Sequence, residues 1–435
     1  MPTSGTSLTA EARALARTGR REEAAAIVGT LLHERFGLDA RQVQINVDIY
    51  SLNSLNGTFD AAGQRLYFKF HQEENEEAMA GEYYRAGLLA EAALPVDQPL
   101  HVSSEPGQQI LVYRRRDDLR FADVLSKIDF SNDAAAAGRA LAAERRLNEK
   151  LIRVYRKTLH RIDAAQSAAE PIHRLFHERL VDPMRPNELA GRFTSFYRDQ
   201  IFAFPGLTLA WSELKHLTFE VNGIVYRDSL GTLFDEAFLR LAPANFAGSG
   251  GVTAHGDAHN ANIWYEDGDA QPRLVMFDPA FAGSHVPALL AEVKTTFHNI
   301  FAHPLWLYDS KAAIERFQAS ARLVRGRLQI TTDWTPSAIR RELLALKRDI
   351  VWRPLLAELA GARLLPADWR RVVRLGLFLC PTLVMNLRVG GGSHNPVSSL
   401  IGFAVAVAMG SEPAAGDDEV SRFLDSITPS SGPRP

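Results

Sequence analysis

The spacing of apolar residues changes along this chain, and each change predicts a different kind of element. Over residues 20–36, Ala24, Ile27, Val28, Leu31 and Leu32 recur at helical spacing, which predicts a helix with one buried stripe. Ahead of it, residues 1–8 are rich in Ser, Thr and Gly, a composition expected to be disordered. From Val43 the period falls to two. Val43, Ile45, Val47 and Ile49 alternate with polar neighbours, residues 55–59 follow, and residues 65–70 come after the turn Ala61-Ala62-Gly63. Three antiparallel strands are expected there. Helical spacing returns at residues 82–89, and residues 110–113 form a short apolar strand.

From 121 to 251 the pattern is mainly helical, with segments at 134–151, 151–159 and 171–180. A hairpin interrupts it at 219–226, marked by Asn222-Gly223. The segment is too long for a plain connection. Residues 390–396, Gly-Gly-Gly-Ser-His-Asn-Pro, join two apolar helices as a flexible loop. The tail 411–435 is polar and bears Pro, Ser and Gly, so disorder is expected, with 420–424 the one stretch patterned for order.

Composition narrows the class without naming a partner. A chain of 435 residues is long enough for two lobes or domains, and 46% hydrophobic with 23% charged residues describes a globular protein. A formal net charge of −2 gives no global bias toward nucleic acid or an anionic membrane. The single cysteine, Cys380, permits no internal disulfide and points to a reducing cytoplasm, where its apolar neighbours make it a small core residue. The first 18 residues lack an apolar signal core, and runs such as 400–409 are too short to span a bilayer. No repeat is present, and nothing in the pattern specifies an oligomeric state.

The chemistry concentrates between 252 and 283. His255-Gly256-Asp257 opens a loop in which Asn262 stands five positions after Asp257, just before the strand-like Ile263-Trp264-Tyr265. After the turn residues Glu266-Asp267-Gly268-Asp269, a second run, Leu274-Val275-Met276-Phe277, ends in Asp278. A hairpin would bring Asp257, Asn262 and Asp278 to one end. Phosphoryl transfer needs such a set: one carboxylate to take or orient the nucleophile's proton, and a carboxamide with a second carboxylate to hold Mg²⁺ on a triphosphate. Taken alone, His-Gly-Asp also fits an ordinary turn whose Asp and Asn satisfy local backbone. The spacing of His255 and His259 around Asp257 admits zinc hydrolysis as well, but Gly256 opposes the helix that arrangement requires.

The two-part motif resembles that of the aminoglycoside phosphotransferase and choline kinase group, small-molecule kinases of protein-kinase-like fold. The resemblance carries His255, Gly256, Asp257, Asn262 and the Phe277-Asp278-Pro279 context, and it covers residues 43–283 well and the remainder loosely. It implies an α+β, two-lobed fold with a small antiparallel-sheet N-lobe at 41–113 and a large, mainly helical C-lobe at 114–410, after an extension, 1–40, with one helix. It implies that Asp257 is the catalytic base, that His255 supports the loop, and that Asn262 and Asp278 bind Mg²⁺. Lys69 would contact the ATP phosphates and Glu82 would pair with it, with Glu73, Glu74, Glu76 and Glu77 as rivals for the glutamate. The residues 94–96 would hand the helix over to a fourth strand, and the strand ending in Tyr113 would lead into the linker that reads adenine through its main chain. The following charge run, 114–118, reads as solvated surface.

Two departures qualify the match. No glycine-rich phosphate loop is present, so Ser51 and Ser54 become the candidate phosphate contacts. An acidic residue is also missing shortly after Gly283, with Glu292 as its only stand-in. The function implied is ATP- and Mg²⁺-dependent phosphorylation of a hydroxyl on a small molecule, with no nucleic-acid or membrane partner. A nucleotide-binding regulator without transfer activity is the alternative. His298, His303, Trp306, Tyr308 and Asp309 supply no concentration of carboxylates for a polycation, which favours a less cationic acceptor such as a sugar, nucleoside or amino alcohol. Phe297, Trp306 and Tyr308 also read as core aromatics.

Overall fold

The computed structural model describes residues 7–46, 54–71, 85–105, 107–268 and 271–429. Two helices, not one, precede the first sheet: α1 (Leu8–Arg17), capped by the Ser7 side chain, and α2 (Arg21–Phe36), ended by Gly37 in the left-handed conformation. Leu8, expected to be disordered, opens α1. The apolar stripe of α2 packs on a five-stranded antiparallel sheet built from β1 (Arg41–Ile45), β2 (Ser54–Ala61), β3 (Gln64–His71), β4 (His101–Ser103) and β5 (Ile110–Arg114) in the order β1-β2-β3-β5-β4. Ala62 and Gly63 both take positive φ, 49° and 74°, which matches the tight turn to the twist of β2 and β3. Val28, Leu31 and Leu32 of α2 close over Leu55, Phe59, Leu66, Phe68, Ile110 and Val112, a core separate from that of the rest of the molecule. Helix and sheet together make the small lobe.

Short helix α3 (Ala86–Glu91) leads to residues 94–97, which do not start the fourth strand as expected. Instead Met276 N donates to Pro95 O at 2.8 Å and Asp97 N donates to Met276 O at 2.8 Å. This segment therefore ties the small lobe to the strand that ends in Asp278. The charge run is only partly solvated: Arg116 lies between Asp97, Asp118 and Glu266 and pins the same junction.

The large lobe is centred on one apolar core. Its α4 (Phe121–Ser131) and α5 (Ala134–Thr158) are continuous helices, whereas Pro171–Leu175 and His177–Leu180 are 3-10 turns, so the expected helix at 171–180 is broken. The hairpin at Asn222-Gly223 forms, and it belongs to a five-stranded sheet that also takes Ala319–Val324, Arg327–Thr332 and Pro413–Ala415. The tail, expected to be disordered outside 420–424, is ordered as far as residue 429, and 420–424 lies in a helix. Glu419–Ile427 is a helix that buries Val420, Phe423, Leu424 and Ile427, because its apolar positions fall on one face. The arrangement is a two-lobed α+β one, with a small antiparallel-sheet lobe and a large, mainly helical lobe. Among the described residues no helix is long and apolar enough to cross a membrane.

Candidate active site

Strand Gly250–Ala254 is fully buried between Gly283–Pro287 and His160–Arg161, and it delivers the loop that starts at His255. His255 is buried, and burial lowers its pKa, so the ring is neutral. The Asp257 amide donates to Nδ1 at 3.3 Å, which leaves Nε2 to donate to Phe277 O at 3.0 Å. Both ring nitrogens are thus spent on main chain, and neither remains for a zinc ion. Gly256 sits at φ 76°, and a Cβ there would lie 2.7 Å from Phe281 O. Only glycine fits that turn.

The loop continues through Asn260–Asn262 into the hairpin of Ile263–Glu266 and Arg273–Met276, which pairs Ile263 with Met276. One step beyond the last pair, Phe277 N donates to Asn262 O at 2.9 Å. Trp264 stacks on Phe277 with ring centroids 4.4 Å apart, fixing the same end. Asn262 Nδ2 donates to Asp257 O at 2.9 Å, so its carboxamide oxygen is the atom left to accept or coordinate. Asp278 follows in the left-handed conformation, φ 58°, and its Oδ2 lies 2.5 Å from Lys69 Nζ of β3. Asn262 and Asp278 offer hard oxygen donors, the chemistry Mg²⁺ selects.

Asp257 also meets a residue no motif announced. Lys294 Nζ, from the helical turn Val293–Thr296, lies 2.8 Å from Asp257 Oδ1, as an ion pair poorly aligned for a hydrogen bond. Burial pulls the Lys294 ammonium below its usual range, and Asp257 pulls it back only in part. No sequence signal marked it; its burial is what requires the ammonium to be paired. His259 Nε2 stands 3.8 Å from the same Asp257 oxygen, and burial holds its pKa down to about 4. Beyond it, the His259 and His298 rings are 5.6 Å apart, and His298 Nδ1 contacts Tyr308 Oη. The loop is anchored from behind: Asn260 N donates to Asn299 Oδ1 at 2.8 Å, and Arg340 Nη1 donates to Asn299 O at 2.6 Å.

The remaining expected positions divide. Ser51 and Glu82 lie outside the described residues. Ser54 is the first residue of β2, with only its backbone described. Tyr113 lies on β5 opposite Tyr67 and is largely buried. Trp306 is core, its Nε1 donating to Phe301 O, whereas His298 stands beside His259 and Tyr308 beside His298 and His303. Asp309 caps the helix Ser310–Arg316. Glu292 is no stand-in for an acceptor-binding acid: it is buried and accepts from Tyr155 Oη at 2.6 Å, Thr295 Oγ1 at 2.8 Å and Lys347 Nζ at 2.8 Å.

No protein-family model and no curated protein matches the chain. Among solved structures, the chain is similar to aminoglycoside phosphotransferase APH(4)-Ia in ternary complex with ADP and hygromycin B, with a TM-score of 0.45 and 13% identity over 88% of this chain and 98% of that one. It is also similar to spectinomycin phosphotransferase APH(9)-Ia in complex with ADP and spectinomycin, with a TM-score of 0.37 and 12% identity over 88% and 98%. A Plasmodium vivax ethanolamine kinase gives a TM-score of 0.37 and 10% identity over 93% and 87%. These likenesses are to small-molecule phosphotransferases. The fold stands on the lobes, sheet order and hairpin register.

Proposed function

We propose that the protein transfers the γ-phosphoryl group of ATP, with Mg²⁺, to a hydroxyl of a small molecule. The observation that supports this reading is the convergence at one hairpin end. Asn262 and Asp278 are held together by the Phe277–Asn262 bond, Lys69 reaches Asp278 from the other lobe, and Asp257 opens the same loop. In the proposed reaction the bond from the γ-phosphorus to the β-bridging oxygen breaks as one to the acceptor oxygen forms. Asp257 accepts the hydroxyl proton, and ADP leaves with the bonding pair. Asn262 and Asp278 would hold Mg²⁺, which neutralises charge on the triphosphate. Lys69 then moves from Asp278 to a phosphate, and His255 keeps loop and hairpin end in register.

The direct Lys69–Asp278 pair also suits the second reading, a nucleotide-binding regulator in which the lysine compensates the metal-binding carboxylate permanently. ADP release over a panel of hydroxyl compounds separates the two, with Asp257→Asn and Asp278→Ala as controls. Transfer that both substitutions leave at the wild-type rate sinks the catalytic assignment. ATP is expected to raise the melting temperature only with Mg²⁺ present, and no response to nucleotide at all removes both readings.

A further inference from the structure

The main chain of Asp257 is fixed on both sides: its N–H donates to His255 Nδ1 at 3.3 Å, and its carbonyl accepts from Asn262 Nδ2 at 2.9 Å. What those bonds leave free is the side chain, whose torsions decide where the two carboxylate oxygens point. Oδ1 points away from solvent, toward Lys294 Nζ at 2.8 Å and His259 Nε2 at 3.8 Å. His259 Nδ1 accepts from Ala261 N, so the proton of that neutral ring sits on Nε2 and faces the same oxygen. Because Oδ1 is closed off, the 10% of the side chain that stays exposed lies elsewhere, and Oδ2 is the oxygen left for an acceptor hydroxyl.

Lys294 can hold that arrangement because its own turn is anchored. Just before it, Glu292 accepts from Lys347 Nζ and Tyr155 Oη; just after it, Thr295 Oγ1 donates to Glu292 and Thr296 Oγ1 accepts from Trp352 Nε1 at 2.9 Å. Val293 is packed so closely on the helix Trp369–Val384 that a Cβ at Gly376 would lie 3.1 Å from it. The lysine therefore projects from a fixed base. Its ammonium meets Oδ1 at a short distance but a poor hydrogen-bond angle, so charge is what holds the carboxylate. Without that charge the carboxylate is free to turn, and a displacement of about 1 Å at a reacting group costs about 10²-fold in rate.

We infer that Lys294 is a positioning residue for the proposed transfer: it holds Oδ1 of Asp257 and so presents Oδ2 to the acceptor hydroxyl. This rests on the phosphotransfer reading above. Lys294→Met, Lys294→Gln and Lys294→Arg are made singly and on the Asp257→Asn background. Transfer from γ-labelled ATP with Mg²⁺ is followed to the hydroxyl compound of the panel that releases ADP fastest, or to water where none does. Lys294→Met should lower kcat by about 10²-fold, with KM for ATP and for the acceptor within about twofold of wild type. Lys294→Gln, which lacks the charge, should lose as much, and it carries the test if the Met variant does not fold. Lys294→Arg should recover about tenfold or more of the loss, since it restores the charge. On the Asp257→Asn background each substitution should change the rate by less than about twofold, because the group it positions is gone. Losses that multiply on that background overturn the inference, as does an undiminished kcat or a Gln variant as active as wild type. A defect confined to KM for ATP also overturns it, by assigning the ammonium to a phosphate, and failure of every variant to fold does so by assigning Lys294 to the scaffold. Wild-type protein that transfers to no compound and not to water refutes phosphotransfer itself, and the inference with it, before any variant is compared.

Discussion

Lys294 and Lys347 are both buried in the large lobe, with 7% and 4% of their side-chain surface exposed, yet their surroundings differ. Burial lowers the pKa of each. Around Lys347 two carboxylates, Glu292 at 2.8 Å and Glu144 at 3.7 Å, more than offset that and hold the ammonium above its usual range. Lys294 has Asp257 as its one carboxylate partner among the described residues, and burial wins. Glu292 is surrounded by donors from Tyr155, Thr295 and Lys347, whereas Asp257 meets Lys294 at a poor angle. A third charged pair, Arg340 with Asp129, is closed off from solvent like the Lys347 network: its side chains are 0% exposed, and Ser337 and Asn299 take further hydrogen bonds, whereas Glu144 Oε2 in the Lys347 network has no partner among the described residues. Pairs closed off from solvent hold the scaffold, and the pair that keeps more contact with solvent, Asp257 with Lys294, is the one with capacity for a ligand.

The contrast breaks first at Asp257. Asp257→Asn should cut phosphoryl transfer by about 10²–10⁴-fold, the range for loss of a general base, while the circular dichroism spectrum stays unchanged. A rate within a factor of a few of wild type would place the reactive group elsewhere. Removing one partner of a solvent-excluded network should instead be read in stability. Arg340→Met and Lys347→Met each strand buried carboxylates and should cost about 3–5 kcal/mol in urea unfolding, whereas Lys294→Met should cost about 1–3 kcal/mol, because Asp257 retains contact with solvent. Equal losses at 294 and 347 would erase the distinction. Gly256→Ala should cost about 1–3 kcal/mol through its positive φ, and it should lower activity more than stability because the clash falls on the loop carrying Asp257.

The smallest effect concerns pH. His173, His259 and His394 are each held down to about 4 by burial. A histidine with a folded pKa below its unfolded one contributes stability that is complete above about pH 6.5 and is lost as pH falls toward 4, because the unfolded chain binds the proton first. Each should add about 1.4 kcal/mol per pH unit to the slope inside that window, visible in urea melts at pH 7, 6 and 5. His173→Gln should remove its share, and an unchanged slope would show that the buried ring is not what titrates.

Much of the site was legible because its signals are local. The Ala62-Gly63 and Asn222-Gly223 turns, the period-two strands and the spacing from His255 through Asp257 to Asn262 depend on backbone sterics and on hydrogen bonds between near neighbours. Those act the same way wherever the segment lies. The hairpin register then brought Asp278 beside Asn262, as the alternation implied. Other features were settled by packing between distant segments, which no short window encodes. Val96 pairs with Met276 instead of opening a strand, the helix Glu419–Ile427 finds an apolar surface to cover, and Ala319–Thr332 completes a sheet begun at Thr218. Glu292 and Lys294 show the reason most directly. They lie two positions apart on successive helical turns, and the sequence offered Glu292 as the functional acid. The fold turned Glu292 to Lys347 and Tyr155 in the core and set Lys294 against Asp257, because desolvation forces every buried charge to the partner that three-dimensional packing supplies.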